Sequence, residues 1–320
     1  MKEEIIVSIW CLAYNHEKYI KDALEGFLKQ KTNFKFEVIV HEDCSTDNTA
    51  QIIKEYEEKY PNIIKLIYQT ENQYSKGINS FRTFGFPRMK GKYVAFCEGD
   101  DFWVDENKLQ KQVDYMESHP DCTFCFTNGY KNDLLLNKKY DFMEHYNGKG
   151  FKEDKDFNLV DMLKLDFIPT CSFLFPLKCV SQMPEYYNER CFAGDRRMAL
   201  YYTAIGYAHY ISEKTCNYNF GVANSALTKK KTKEQLSRIS DERINMCCNL
   251  DKFTNKAYHA EIFYYIQQIE IDRLYNDYNN LIKLKYYKNI YKIAPFKIKV
   301  KLFLEKYLKW VLIIKRKFIK

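Results

Sequence analysis

The sequence predicts an α/β fold: a mostly parallel central sheet flanked by helices, with a C-terminal helical extension. Three observations carry this expectation. Up to residue 97, short apolar runs alternate with helix-length amphipathic segments, the pattern of strand–helix–strand units. Two acidic stretches, around Asp43 and over 98–101, directly follow apolar runs. That places them at the carboxyl ends of strands, where ligands collect in such sheets. Beyond residue 229 the pattern is helical only.

Taken in order, residues 5–12 are apolar enough for a buried strand, and Tyr14 and Asn15 leave it for a loop. Residues 17–30 are helix-compatible, with Ile20, Leu24, Phe27 and Leu28 on one stripe. A strand is predicted over 36–40, then a polar turn over 42–47 and a helix over 49–59. Residues 63–68 read as a third strand, 79–89 as a helix, and 93–97 as a fourth strand running into acids. Next come a helix over 108–118 and a strand over 123–128, while 130–155 is a polar stretch whose elements the pattern does not settle. A short helix over 161–165, a strand over 172–175 stopped by Pro176, a helix from about Asp195 to 205 and a strand over 209–212 complete the first region. Helices are then expected over 234–249 and 257–278. Three regions result: a domain over 1–228, a helical accessory segment over 229–294, and a basic amphipathic helix over 295–320.

The chain has 320 residues, 17% of them aromatic, which suits a folded domain with a sizeable core. Its net charge of +8 is concentrated at one end. Residues 283–320 hold thirteen Lys or Arg against a single acid, Glu305, so this end carries +12 and the other 282 residues carry −4. That split argues against a nucleic-acid surface spread over the whole chain. The eleven cysteines follow no disulfide or zinc spacing, and MKEEIIVSIWC lacks the basic start of a signal peptide. Reduced thiols and a cytoplasmic location are therefore expected. No GxGxxG turn or GxxxxGK[ST] loop is present, which argues against a dinucleotide dehydrogenase and a P-loop ATPase.

The acids supply the candidate chemistry. If the fourth strand continues, Glu98 and Asp100 point the same way by two-residue periodicity, and Gly99 lets backbone or ligand approach closely. A hard divalent cation takes carboxylate oxygens and completes its shell with water and substrate phosphates, so one or two acids suffice beside a diphosphate. The same cluster also reads as a cap for the helix after Asn107. Asp43 could accept a hydrogen bond from a nucleobase N–H or stabilise its own turn. Arg82 and Lys76 could approach phosphate oxygens or remain solvated. Asp195 is placed either as a general base or as a helix N-cap.

Read together, four stretches resemble the family 2 glycosyltransferases with the GT-A nucleotide-sugar-binding fold, including those of bacterial surface-polysaccharide synthesis. They are VSIWCLAYNHEKYI over 7–20, VIVHEDCSTDNT over 38–49, GKYVAFCEGDDFW over 91–103 and FAGDRRMALYYTAIG over 192–206. The resemblance assigns Asp43 to uracil recognition and Arg82 to the diphosphate side. It assigns Glu98 and Asp100 to the donor and metal site, Asp101 to the acceptor side, Asp195 to the catalytic base, and Tyr14 to the nucleotide pocket. Ala13 stands where a threonine is frequent, Glu98 where an aspartate is, and Cys216-Asn217-Tyr218-Asn219 where a Tyr-Arg-x-His pattern is.

The resemblance implies inverting transfer from a UDP-sugar, with Mg²⁺ or Mn²⁺, to a hydroxyl of a saccharide or lipid-linked saccharide in capsule or related surface glycan synthesis. A noncatalytic glycan- or membrane-binding protein on the same fold is the alternative. After Pro295, Val300, Phe303, Leu304, Tyr307, Val311, Ile314 and Phe318 form one helical stripe flanked by lysines. This suits peripheral contact with an anionic inner membrane face, with homodimerisation through the C-terminal helices as a further option.

Overall fold

The computed structural model describes residues 4–188, 191–223, 225, 231–277, 281–296 and 298–300. Two units make up the chain: Met1–Arg190 with Gly194–Lys229, and Cys191–Ala193 with Lys230–Lys320.

In the first unit, the apolar opening forms β1 (Ile5–Ala13), whose interior is fully buried. It pairs in parallel with β2 (Lys35–Glu42), Val7 opposite Phe36 and Ala13 opposite Glu42. On its other side it pairs in parallel with β4 (Tyr93–Phe96), and β3 (Ile64–Tyr68) extends the sheet beyond β2. Helices α1 (Ile20–Leu28) and α2 (Thr49–Lys59) connect these strands. Helix α1 is shorter than the predicted 17–30, because residues 14–17 are held in a loop described below.

The predicted helix over 79–89 is a correction. The chain instead makes a π turn, Phe81–Gly85, and one 3-10 turn, Phe86–Arg88. Pro87 cannot donate to a helical ladder. Gly85 also lies so close to Trp10 that a Cβ there would sit 2.5 Å from the indole.

Beyond β4 the sheet becomes mixed, in the order β3-β2-β1-β4-β9-β6-β10-β5. The two-residue β5 (Phe102–Trp103) and β10 (Tyr207–Phe220) are antiparallel, β6 (Cys122–Asp133) and β10 are parallel, and β9 (Leu174–Pro176) is antiparallel to β4 and β6. Strands β6 and β10 run well past the predicted 123–128 and 209–212. Their polar residues are buried with partners: Asn128 donates to Asp141 at 3.0 Å, and Lys131 pairs with Asp133 at 3.1 Å. The unsettled stretch after β6 contains β7 (Lys138–Asp141), α4 (Phe142–Asn147) and β8 (Lys155–Phe157). Helix α3 (Lys108–Ser118) follows β5, and α5 (Leu159–Lys164), α6 (Leu177–Ser181) and α7 (Gly194–Ile205) complete the unit.

In the second unit, α8 (Lys233–Phe253) starts with a capping box between Thr232 and Gln235. Arg273 of α9 (His259–Asn276) donates to Asp241 and Ser237, each at 2.7 Å. Helix α10 (Lys285–Ile293) packs on α9 through Ile271, Leu274, Tyr287 and Ile290. Most of the predicted basic helix, from residue 301 on, lies outside the described residues. Among the described residues no helix is long and apolar enough to cross a membrane.

Candidate functional site

Strand β4 delivers the acidic cluster. After Phe96 the chain keeps bonding to β1, with Cys97 N–H donating to Trp10 at 3.1 Å and Gly99 N–H to Leu12 at 2.9 Å. The acids therefore emerge at the carboxyl rim of the parallel strands. Gly99 is required by close approach: a Cβ would lie 2.8 Å from Ile20 Cδ1 and 3.0 Å from His16 Nδ1. Helix α3 braces the following turn from behind. Its buried Lys108 sits 4.2 Å over the Trp103 ring, and Trp103 Nε1 donates to the Cys171 carbonyl at 2.7 Å.

Four carboxyls share one field. Burial, and after it the Asp100 and Asp195 charges, push Glu98 up to about 8. Asp101, 2% exposed, is held well above the usual carboxylate range by burial and then by Asp100 and Glu98, while its Oδ1 accepts from Asn219 N–H at 2.8 Å. Asp195 lies in the first turn of α7, partly exposed. Burial raises its pKa, opposed by Arg196 N–H at 2.7 Å, the Arg196 charge and the Thr170 hydroxyl. Arg197 turns away to the Tyr186 and Tyr187 carbonyls, both at 3.2 Å. The fold thus brings Glu98, Asp100, Asp101 and Asp195 together from segments nearly a hundred residues apart.

Such crowding favours a proton or a cation among the carboxylates. Glu98 Oε2 is buried without a hydrogen-bond partner, which fits a cation. Among the described residues, no three His, Cys, Asp or Glu form a ready-made metal cage. A cation here would draw on Asp100 and Glu98 and take its other ligands from water and a diphosphate.

The loops after β1 and β2 interlock beside this cluster. Asn15, at φ 57°, donates its N–H to Ser45 Oγ at 3.0 Å and accepts from Thr46 N–H at 2.8 Å. His16 N–H donates to Thr49 Oγ1 at 2.7 Å, Glu17 N–H to Asp47 Oδ2 at 3.2 Å, and Asn48 N–H to Glu17 Oε2 at 3.0 Å. Tyr14 stands 40% exposed on the rim.

Two of the predicted site residues are bonded within the fold. Asp43 is 1% exposed, and its two oxygens accept from Gln73 N–H at 2.8 Å and Tyr74 N–H at 3.0 Å. It fixes the loop after β3. Arg82 donates to Val180 O at 2.6 Å and Asn188 Oδ1 at 2.9 Å, so its fork ties the 80s turn to the 180s loop.

Sequence reasoning missed three positions. Asn219 donates from Nδ2 to the Asp100 carbonyl at 2.6 Å as well as from its backbone to Asp101. Thr170 bonds the Asp195 carboxyl. The His16 ring lies 3.7 Å from Asp100. Only 216–219 carried a signal, as a departure from the family pattern; the other two contacts are non-local.

An uncharacterized protein of Mycobacterium tuberculosis is 43% identical over 120 residues, 38% of this chain and 34% of its own length. The UDP-Glc:alpha-D-GlcNAc-diphosphoundecaprenol beta-1,3-glucosyltransferase WfaP of Escherichia coli is 34% identical over 132 residues, 41% of this chain and 49% of its own. The chain therefore spans about a third to a half of the length of these curated relatives. The fold resembles that of Staphylococcus aureus TarS 1-349 in complex with UDP-GlcNAc, with a TM-score of 0.58, 18% identity, and coverage of 92% of this chain and 78% of that one. The sequence profile of glycosyl transferase family 2 matches residues 8–176, over half of the chain, and the chain belongs to that family.

Proposed function

We propose that this chain is an inverting glycosyltransferase. It moves a hexosyl or N-acetylhexosaminyl group from a UDP-sugar to a hydroxyl of a saccharide or lipid-linked saccharide in surface glycan synthesis. The convergence of Glu98, Asp100, Asp101 and Asp195 on one rim carries this reading. The UDP-GlcNAc complex of TarS and the UDP-Glc donor and lipid-linked acceptor named for WfaP support the substrate classes.

Asp195 takes the proton of the acceptor hydroxyl while that oxygen bonds to the anomeric carbon. The bond from that carbon to the diphosphate breaks on the opposite face, and UDP leaves with the electron pair. A carboxylate whose proton affinity is raised by burial suits this task. Asp101, anchored by Asn219, sets the acceptor-side wall; Asp43 shapes the base end by fixing residues 73 and 74. Mg²⁺ or Mn²⁺, when bound at Asp100 and Glu98, would supply positive charge against the departing diphosphate. In this reading residues 1–228 catalyse, 229–294 form the accessory helices, and the basic end holds the protein at an anionic inner membrane face or joins two copies.

A panel of UDP-sugars scored for acceptor-dependent UDP release tests the activity. Asp195→Asn is expected to lower turnover by at least about 10²-fold, the scale of general-base contributions, while leaving donor affinity by calorimetry within about twofold. Unchanged turnover in this folded variant rejects Asp195 as the base. Donor-independent glycan binding without UDP release identifies a binding protein instead.

A further inference from the structure

Six histidines occur in the chain. Five have a ring nitrogen within hydrogen-bond distance of another polar group. His16 differs. Its Nδ1 is buried without a partner, and its Nε2 faces Asp100 Oδ2 at 3.7 Å, too far for a hydrogen bond. Both side chains are mostly covered, with 15% and 18% exposure. The ring is also held in place: the His16 backbone is tied to Thr49, and Nδ1 packs against Gly99 where a Cβ would stand at 3.0 Å.

A fixed imidazole beside a carboxylate, with a gap between them and an orphaned Glu98 oxygen in the same cluster, has the character of an incomplete coordination shell. Two atoms each ~2.1 Å from one small cation stand between ~3 Å apart at a right angle and ~4.2 Å apart when opposed. The observed separation lies inside that window. A neutral imidazole also adds a ligand without adding charge to four crowded carboxyls.

We infer that His16 is a nitrogen ligand for the divalent cation of the donor site, acting with Asp100 across the gap between the β1–α1 loop and the β4 rim. This rests on the proposed donor chemistry and extends it to a loop whose other polar contacts are structural.

The test uses Mn²⁺ with UDP and the full chain, read by pulsed electron paramagnetic resonance. A directly bound histidine nitrogen modulates the Mn²⁺ signal. The modulation is expected in the wild type and absent in His16→Ala and in His16→Gln, which keeps the side-chain volume. Mn²⁺ affinity in the presence of UDP is expected to fall about 10–100-fold in both. Circular dichroism establishes that each variant is folded. Mn²⁺ uptake without nitrogen modulation, or modulation that survives in either variant, overturns the role of His16 and leaves the donor chemistry standing. Absence of Mn²⁺ uptake with UDP, unaltered by Asp100→Ala, overturns both.

Discussion

Glu98 keeps its proton up to about 8, where an ordinary carboxyl loses it near 4.5, and the cause is burial beside Asp100 and Asp195. The folded state therefore binds more protons than the unfolded chain between those values, so this group's contribution to stability falls as pH rises through that window. Asp101 and Asp195, also shifted upward, act in the same sense. Glu98→Gln is expected to melt higher than the wild type at pH 8, with the difference vanishing near pH 4.5; scanning calorimetry at the two pH values measures it. Asn219→Ala removes the bond to the Asp100 carbonyl and the acceptor for Asn132 and Asn217 Nδ2, and is expected to cost roughly 2–4 kcal/mol. Urea unfolding reads that loss. The acids were legible in the sequence because they follow a strand at fixed spacing. The commitments of Asp43 and Arg82 were not, because their partners lie about 30 and about 100 residues away.

At the scale of elements, legibility followed apolar periodicity. Strands β1 to β4 and helices α2 and α3 stand within a residue or two of their predicted bounds because each buries a continuous apolar face. Strands β6 and β10 were underestimated because polar groups such as Thr127 and Thr215, or Asn132 and Asn219, satisfy one another only after the two strands pair. The entry to β4 illustrates how tightly elements meet. A Cβ on Gly91 would lie 2.4 Å from the Ser8 backbone nitrogen, and Ser8 Oγ accepts from both Lys90 and Gly91. Gly91→Ala is expected to destabilise the protein by on the order of 1–3 kcal/mol, measured by denaturant midpoint.

For the whole molecule, the decisive feature is the concentration of positive charge at one end of the sequence. Residues 297–320 contain nine Lys or Arg and one acid. Exposed Tyr286, Ile293 and Phe296 precede them along and just beyond α10. On the peripheral-membrane proposal, removing 297–320 should abolish co-sedimentation with phosphatidylglycerol vesicles while leaving soluble-acceptor turnover unchanged. Retained co-sedimentation of the folded, shortened chain rejects that proposal. The two-unit division is not visible in composition, since both units are rich in lysine and tyrosine.

The reciprocal bonds between the loops after β1 and β2 have a dynamic consequence. The amides of Asn15, His16, Glu17, Thr46 and Asn48 are all donated to side chains of the opposite loop. Although they lie outside regular secondary structure, their hydrogens should exchange with deuterium slowly and in concert. Asp47→Ala, which frees the amides of Glu17 and Thr49 at once, should accelerate exchange across both loops.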